Sequence, residues 1–262
     1  MQTGISHSLR QYSACCTEAA GIVKKCYYMV TKKYKKKGMV LLMAKRMTAK
    51  ERERVARILA LLDKEYGTDY RCYLNHETPW QLLVATILSA QCTDARVNIV
   101  TKDLFQKYPD LESFATAELS ELEQDIKSTG FYHNKAKNII ACAKKLVEEF
   151  GGEVPRDLES LTSLAGVGRK TANVIRGNVY HEASIVVDTH VKRISKKLGF
   201  TSEEDPEKVE FDLMKVLPED HWILYNIQII TLGRTICVAR SPKCNECFLR
   251  EECPEGKKFL SL

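Results

Sequence analysis

The sequence predicts an all-α protein, and three observations carry that prediction. From Met47 onward apolar residues recur at helical intervals, as Val55, Ile58, Leu59 and Leu62 do at i, i+3, i+4 and i+7. Start and stop residues bracket the runs: Thr78 and Pro79 before one, Gly151 and Gly152 after another. The strict alternation of a half-buried strand shows only briefly, at Ser184 to Val187.

Taken in order, the first helix carries Val55 to Leu62 and stops at Gly67. Thr78 as N-cap and Pro79 at the first helical position open a segment, 80–90, that is apolar on most faces and is expected to be the buried central helix. Thr93 caps a helix bearing Val97, Val100, Leu104 and Phe105, closed by Pro109. Leu119, Leu122 and Ile126 mark another, ending at Gly130. Ile139, Ile140, Ala143, Leu146 and Val147 mark the next. Residues 158–180 place a short apolar helix, a tight turn at Leu164 to Gly168 and a second helix in succession. Asp188 is the N-cap of a helix with Val191, Ile194 and Leu198, and Asp205 with Pro206 starts one through Phe211, Leu213 and Val216. After Thr235 the period is lost and the chain turns rich in Cys, Pro and charge, as a metal-organised loop would.

At 262 residues, with 44% hydrophobic and 28% charged side chains, the chain can bury one or two cores of roughly 100–150 residues. No run approaches the roughly 18 apolar residues that span a bilayer, so no membrane partner is expected. The net charge of +6 invites a nucleic-acid reading. Its distribution weakens that inference. Residues 1–46 hold ten basic side chains against Glu18, or +9, which leaves −3 for the other 216. This leading segment is expected to be a disordered basic extension. It reads as a nucleic-acid arm, an organelle presequence, or translation assigned from too early a start. The last is favoured because Met47 opens a helical pattern directly.

Ten cysteines without an export signal fit a reducing compartment better than a disulfide framework. Six of them (Cys15, Cys16, Cys26, Cys72, Cys92 and Cys142) have no ligand-like period. The other four, Cys237, Cys244, Cys247 and Cys253, are spaced C-x6-C-x2-C-x5-C. Four thiolates within so short a loop are a metal signal. Spacing alone leaves a four-cysteine zinc and a [4Fe–4S] cluster both open, with the single CxxC favouring iron–sulfur.

In the turn Leu164-Ala165-Gly166-Val167-Gly168, two glycines around one apolar residue permit positive φ on both sides. Backbone N–H groups would then point outward at the start of the following helix. With roughly half a positive charge from the dipole, this is an anion site that needs no basic surface. Lys170 lies in that helix's first turn, where the dipole disfavours a cation. Partial desolvation and the helix end both favour its neutral amine, a nucleophile for an electrophilic carbon. Asp188, after the apolar Val186 and Val187, is a helix cap on the plain reading. On the chemical one it is a carboxylate that accepts protons or stabilises a cationic, sugar-like transition state.

The strings LAGVGRKTANVI, VVDTH, LSAQCTD (Leu88 to Asp94) and GFYHNKAKNI (Gly130 to Ile139), with the cysteine tail, together resemble the endonuclease III family of helix-hairpin-helix DNA glycosylases. The resemblance covers about Met47 to Pro254. It implies a six-helix barrel domain carrying the helix-hairpin-helix, residues 72–182, and an iron–sulfur domain, 183–262, with which the first helix, 47–71, packs. The active-site cleft is expected between the two. It also implies a bifunctional glycosylase and abasic-site lyase of base excision repair. Lys170 matches the nucleophile that attacks the sugar C1′ and forms a Schiff base. Asp188 matches the assisting acid, and the four cysteines match the ligands of a [4Fe–4S] cluster. Gln91 matches the residue that fills the hole left by an extruded nucleotide. Phe131 stands where family members often carry a leucine wedge. Gly166, Gly168 and Arg169 fall in the phosphate-binding hairpin, and His190 and Arg240 match backbone-contacting positions. The implied substrate is double-stranded DNA with oxidised pyrimidines or abasic sites. A monomer in the cytoplasm at the nucleoid is expected, with organelle targeting by residues 1–46 left open.

Two other functions fit some of the same residues less well. A monofunctional mismatch glycosylase usually lacks the lysine at the position of Lys170. A non-catalytic iron–sulfur protein would have no need of Lys170 and Asp188 together.

Overall fold

A computed structural model describes residues 47–69 and 72–258, and the expectations for residues 1–46 lie outside them. Helix α1 (Ala49–Tyr66) starts where the sequence places it, with Thr48 and Glu51 capping each other reciprocally. Its buried face is Val55, Ile58, Leu59 and Leu62. Helix α2 (Pro79–Leu88), capped by Thr78, buries every residue from Leu82 to Leu88, as expected of a central helix. It ends two residues short of the predicted stretch. Ser89 to Cys92 turn instead, with Gln91 in left-handed backbone at φ 54°.

Around α2 lie α3 (Asp94–Lys107), α4 (Leu111–Ala115), α5 (Leu119–Asp125), α6 (Tyr132–Phe150), α7 (Leu158–Thr162) and α8 (Arg169–Tyr180). One contiguous core runs through them from Leu74 to Ile175, centred on Leu82, Leu83, Leu88, Phe114, Ile139 and Leu146. The helix expected to run to Gly130 closes at Asp125 and tightens into a 3₁₀ turn, Lys127–Thr129. The next helix starts earlier than its apolar markers, at Tyr132, with Phe131 as N-cap at φ 50°.

Helices α9 (Thr189–Lys197), α10 (Pro206–Val216) and α11 (Trp222–Thr235) follow, then the cysteine loop and α12 (Pro254–Lys257). Between Val216 and Thr235 the sequence reading names no helix. Helix α11 buries two polar side chains, Asn226 and Gln228, within its apolar run, which blurs the period. Helix α1 packs here: Gln228 Nε2 donates to Asp63 Oδ1 at 2.8 Å, Arg57 pairs with Glu252 at 2.7 Å, and Tyr66 meets Phe248 edge to face.

Among the described residues there is no strand. Ser184 to Val187 forms no regular element, and all four residues are buried, so neither face is solvated. Two side-chain amides take the place of a partner strand. Asn173 Nδ2 donates to the Ile185 carbonyl at 3.0 Å, and Asn226 Nδ2 donates to that of Val186 at 2.9 Å. No helix of the described residues is long and apolar enough to cross a membrane.

Candidate active site

The hairpin between α7 and α8 departs from the symmetric glycine turn that the sequence suggests. Gly166 has φ 76°, and a Cβ there would lie 2.9 Å from the Asn138 Cβ, so both backbone and space exclude a side chain. Gly168 instead has φ −90° and ψ 176°, ordinary extended backbone with open space around it. Only one of the two glycines thus needs positive φ. Gly168 is the N-cap of α8 and supplies no capping side chain. Helices α1, α2, α3, α4, α7, α9 and α10 all begin on a Thr or Asp that caps them. A helix start without a capping side chain is one at which an anion can take the place of the cap.

Arg169, expected at the DNA, has its guanidinium engaged inside the protein. It forms a fork with Glu210, Nε–Oε2 at 2.7 Å and Nη2–Oε1 at 3.0 Å, and lies over the Phe211 ring. Glu210 is only 4% exposed, and Asn173 Nδ2 also donates to its Oε1, at 3.1 Å. The Arg169 side chain therefore ties α8 to α10.

Lys170 and Asp188 line one cavity of about 290 Å³, together with His190, Tyr73, Asp94, Asn178 and Arg234. Lys170 is exposed, so the protein alone does not supply the partial desolvation that the sequence argument invokes. Asp188 is the helix cap of the plain reading, and the cap uses only one of its two oxygens. Its Oδ1 accepts from the Val191 amide at 2.7 Å and caps α9, while among the described residues its Oδ2 accepts no hydrogen bond.

His190, two residues on, is half-buried and accepts at Nδ1 from Arg193 Nη2 at 3.4 Å. Burial lowers its pKa, Arg193 and Arg234 add to that, and Asp188 only partly opposes them. Its ring lies so close to α11 that a Cβ on Gly233 would sit 2.3 Å from Nδ1. The sequence reading passed over several other cavity residues. Arg234 pairs with Asp94 at 2.7 Å and covers the Tyr73 ring, whose hydroxyl lies 2.7 Å from that of Thr231. Asp94 lies inside the LSAQCTD string, but nothing local marks its partner 140 residues away.

Gln91 and Phe131 stand outside this cavity, each exposed and each in left-handed backbone. Phe131 is 63% exposed, unusual for so large an apolar side chain. At the other end of the chain, Cys237, Cys244, Cys247 and Cys253 line a single small cavity with Ile236 and Pro242. Among the described residues no three His, Cys, Asp or Glu side chains are gathered tightly enough for one metal ion. Four thiol donors on one cavity are the ligand set that a [4Fe–4S] cluster takes. Arg193 Nη1 donates to Cys237 Sγ at 3.7 Å, and Arg240 and Lys243 are exposed on the same loop.

Residues 84–219 match the model of the HhH-GPD superfamily of base excision DNA repair proteins, and residues 237–253 match the iron–sulfur binding domain of endonuclease III. The chain is 50% identical to endonuclease III of Synechocystis over 213 residues, 81% of this chain and 97% of that protein. It is 50% identical to that of Bacillus subtilis over 188 residues, 71% of this chain and 86% of the relative. The chain belongs to the endonuclease III family. A solved structure of a trapped endonuclease III–DNA covalent intermediate superposes with a TM-score of 0.76 at 44% identity, covering 82% of this chain and all of the other. As a member of the endonuclease III family the protein is a DNA glycosylase and abasic-site lyase with two helical domains. Its cofactor is a [4Fe–4S] cluster, and the matched segment begins on Cys237 and ends on Cys253.

Proposed function

We propose that the protein excises oxidised pyrimidines from double-stranded DNA and cuts the strand 3′ to the abasic site, with Lys170 as nucleophile and Asp188 as its acid–base partner. The observation that carries the reading is the shared cavity: an exposed amine on an open helix start, and across from it a carboxylate with one oxygen unengaged. Bound DNA would exclude water from Lys170 and complete the desolvation that the free protein lacks. The neutral amine attacks C1′ as the glycosidic bond breaks, and the base leaves with the bonding pair and takes up a proton. Asp188 holds the proton shed by the amine and stabilises the cationic sugar. Ring opening gives the iminium, which acidifies a C2′ proton. Its removal expels the 3′ phosphate by β-elimination, and water then frees Lys170 from the sugar remnant. The related trapped covalent complex supports a covalent route.

Around this centre the open amides of α8 at Gly168 would hold a backbone phosphate, and Gly166 shapes their turn. His190 and Arg240 are assigned to the DNA backbone. Gln91 would fill the space vacated by the extruded nucleotide, and Phe131 would wedge the duplex open. The cluster, held by Cys237, Cys244, Cys247 and Cys253, supplies a structural core for residues 236–253 and presents Arg240 and Lys243 to the phosphates. We group α1 with residues 183–262, on the strength of its bonds to Gln228 and Glu252, and place the cleft between that unit and residues 72–182. The enzyme is assigned as a cytoplasmic monomer.

Borohydride reduction during reaction with thymine glycol DNA is expected to trap a covalent protein–DNA adduct. Lys170→Gln should abolish it, and an adduct that persists in that variant would place the nucleophile elsewhere.

A further inference from the structure

Lys135, on the second turn of α6, is 4% exposed yet among the described residues has no carboxylate partner. Its Nζ donates to two backbone carbonyls, Leu88 O and Thr129 O, each at 2.8 Å. Burial of this ammonium lowers its pKa, so the group is held at a cost that the two carbonyls must offset. Both carbonyls end helical elements. Leu88 is the last residue of α2, and Thr129 is the last of the 3₁₀ turn. A cation at a helix C-terminus meets unsatisfied carbonyls and the negative end of the dipole, and here one ammonium serves two such ends.

Each of these carbonyls leads within three residues into left-handed backbone. Gln91, three residues after Leu88, has φ 54°, and Phe131, two residues after Thr129, has φ 50°. Non-glycine residues in that conformation are uncommon and persist only where the surroundings hold them. Three occur among the described residues, and two of them are these. The two segments are more than 30 residues apart in the chain, and Lys135 is bonded to both.

We infer that Lys135 is the positioning residue that sets Gln91 and Phe131 at a common depth, so that plug and wedge enter the duplex together. The inference rests on the proposed DNA roles of those two side chains. It extends the site to a residue that touches neither DNA nor the cavity around Lys170.

The test compares two substrates. A duplex with thymine glycol needs plug and wedge; a single-stranded abasic oligonucleotide, with no partner strand to part, does not. Lys135→Met keeps the buried stem and removes the charge and donors. It is expected to lower duplex turnover at least about tenfold and single-strand β-elimination less than about twofold, as a misplaced positioning group would. No loss, or equal loss on both substrates, would overturn the inference, since a merely structural lysine predicts the latter. Lys135→Arg retains the cation and several donors and should hold the duplex-to-single-strand ratio within about threefold of the unsubstituted enzyme. A folded Arg variant whose ratio collapses would count against the carbonyl caps, even if the Met variant fails to fold.

The variant carrying both Gln91→Ala and Phe131→Ala separates the two ideas. Full duplex activity in it would overturn the DNA roles of the pair and this inference with them. Loss there without selective loss in Lys135→Met would overturn this inference alone. Lys135→Met added to the pair should change the duplex rate no further, because residues acting as one unit are not additive.

Discussion

Helix α8 begins at Gly168 with no side chain over its first turn, whereas α9 begins at Asp188, whose Oδ1 accepts from the Val191 amide at 2.7 Å. Both helix starts are near the same cavity, which Lys170 and Asp188 line together. One start carries no capping side chain, so an anion can take the cap's place; the other satisfies an amide internally and thereby fixes a carboxylate in place. A helix N-terminus is thus either a binding device or an anchoring device, depending on a single N-cap residue. The glycine gives up cap stability for an anion site, and the aspartate gains stability while keeping one oxygen for chemistry.

The comparison is broken most severely at Asp188. Asp188→Asn retains a good cap and removes the charge, so single-turnover base release should slow by about 10²–10⁴-fold with the melting temperature unchanged. Asp188→Ala should show the same kinetic loss and, by chemical denaturation, a further loss of about 1 kcal/mol from the missing cap. If the two variants were equally stable, the capping role would be disproved. At the other helix, Gly168→Asp places a capping carboxylate where an open extended backbone accepts it. It should stabilise α8 by a few tenths of a kcal/mol while weakening binding to abasic-site DNA about tenfold, a trade that fluorescence anisotropy and denaturation would register together. Gly166→Ala is the contrasting control. With φ 76° and Asn138 against it, the variant should lose about 1–3 kcal/mol and gain nothing.

The smallest effect concerns the start of α11, where His221 stands between Asp220 Oδ1 at 2.8 Å and Asp63 Oδ2 at 3.2 Å. Burial works against its protonation, but the two carboxylates outweigh it and raise its pKa. The stability it contributes is full below the unfolded value of about 6.5 and is lost as pH rises through the higher folded value. For a half-exposed pair this amounts to under about 1 kcal/mol. Denaturation midpoints should decline across that window and stay flat in His221→Gln.

The helix starts were legible from sequence because capping is local: Thr78, Thr93, Asp188 and Asp205 all act within three residues of themselves. The asymmetry of the glycine turn was not, since Gly166 answers to Asn138, a neighbour from another helix. The ion pair of Arg169 was not legible for a related reason. Its partner Glu210 lies 41 residues on, and a basic side chain beside a phosphate-binding turn looks the same before that pairing is known. The alternation at Ser184 to Val187 matched a strand locally, but a strand needs a neighbour and the fold supplies only two asparagines. Lys170 and Asp188 carried separate local readings, and only the resemblance joined them. The cysteine spacing announced a metal but could not choose it, because zinc and an iron–sulfur cluster both take four thiolate ligands.

The buried connector from Ser184 to Val187 also acts as a ruler between the two functional helices. It is buried at all four residues and pinned at two consecutive carbonyls, which leaves little slack to take up a change in length. One residue inserted there would turn Ile185 or Val186 out of its pocket and displace Asp188 by up to about 3.3 Å, the rise of one fully extended residue. Natural length variation should therefore fall in the turns of the described fold and spare this span, which sets the interval from Lys170 to Asp188.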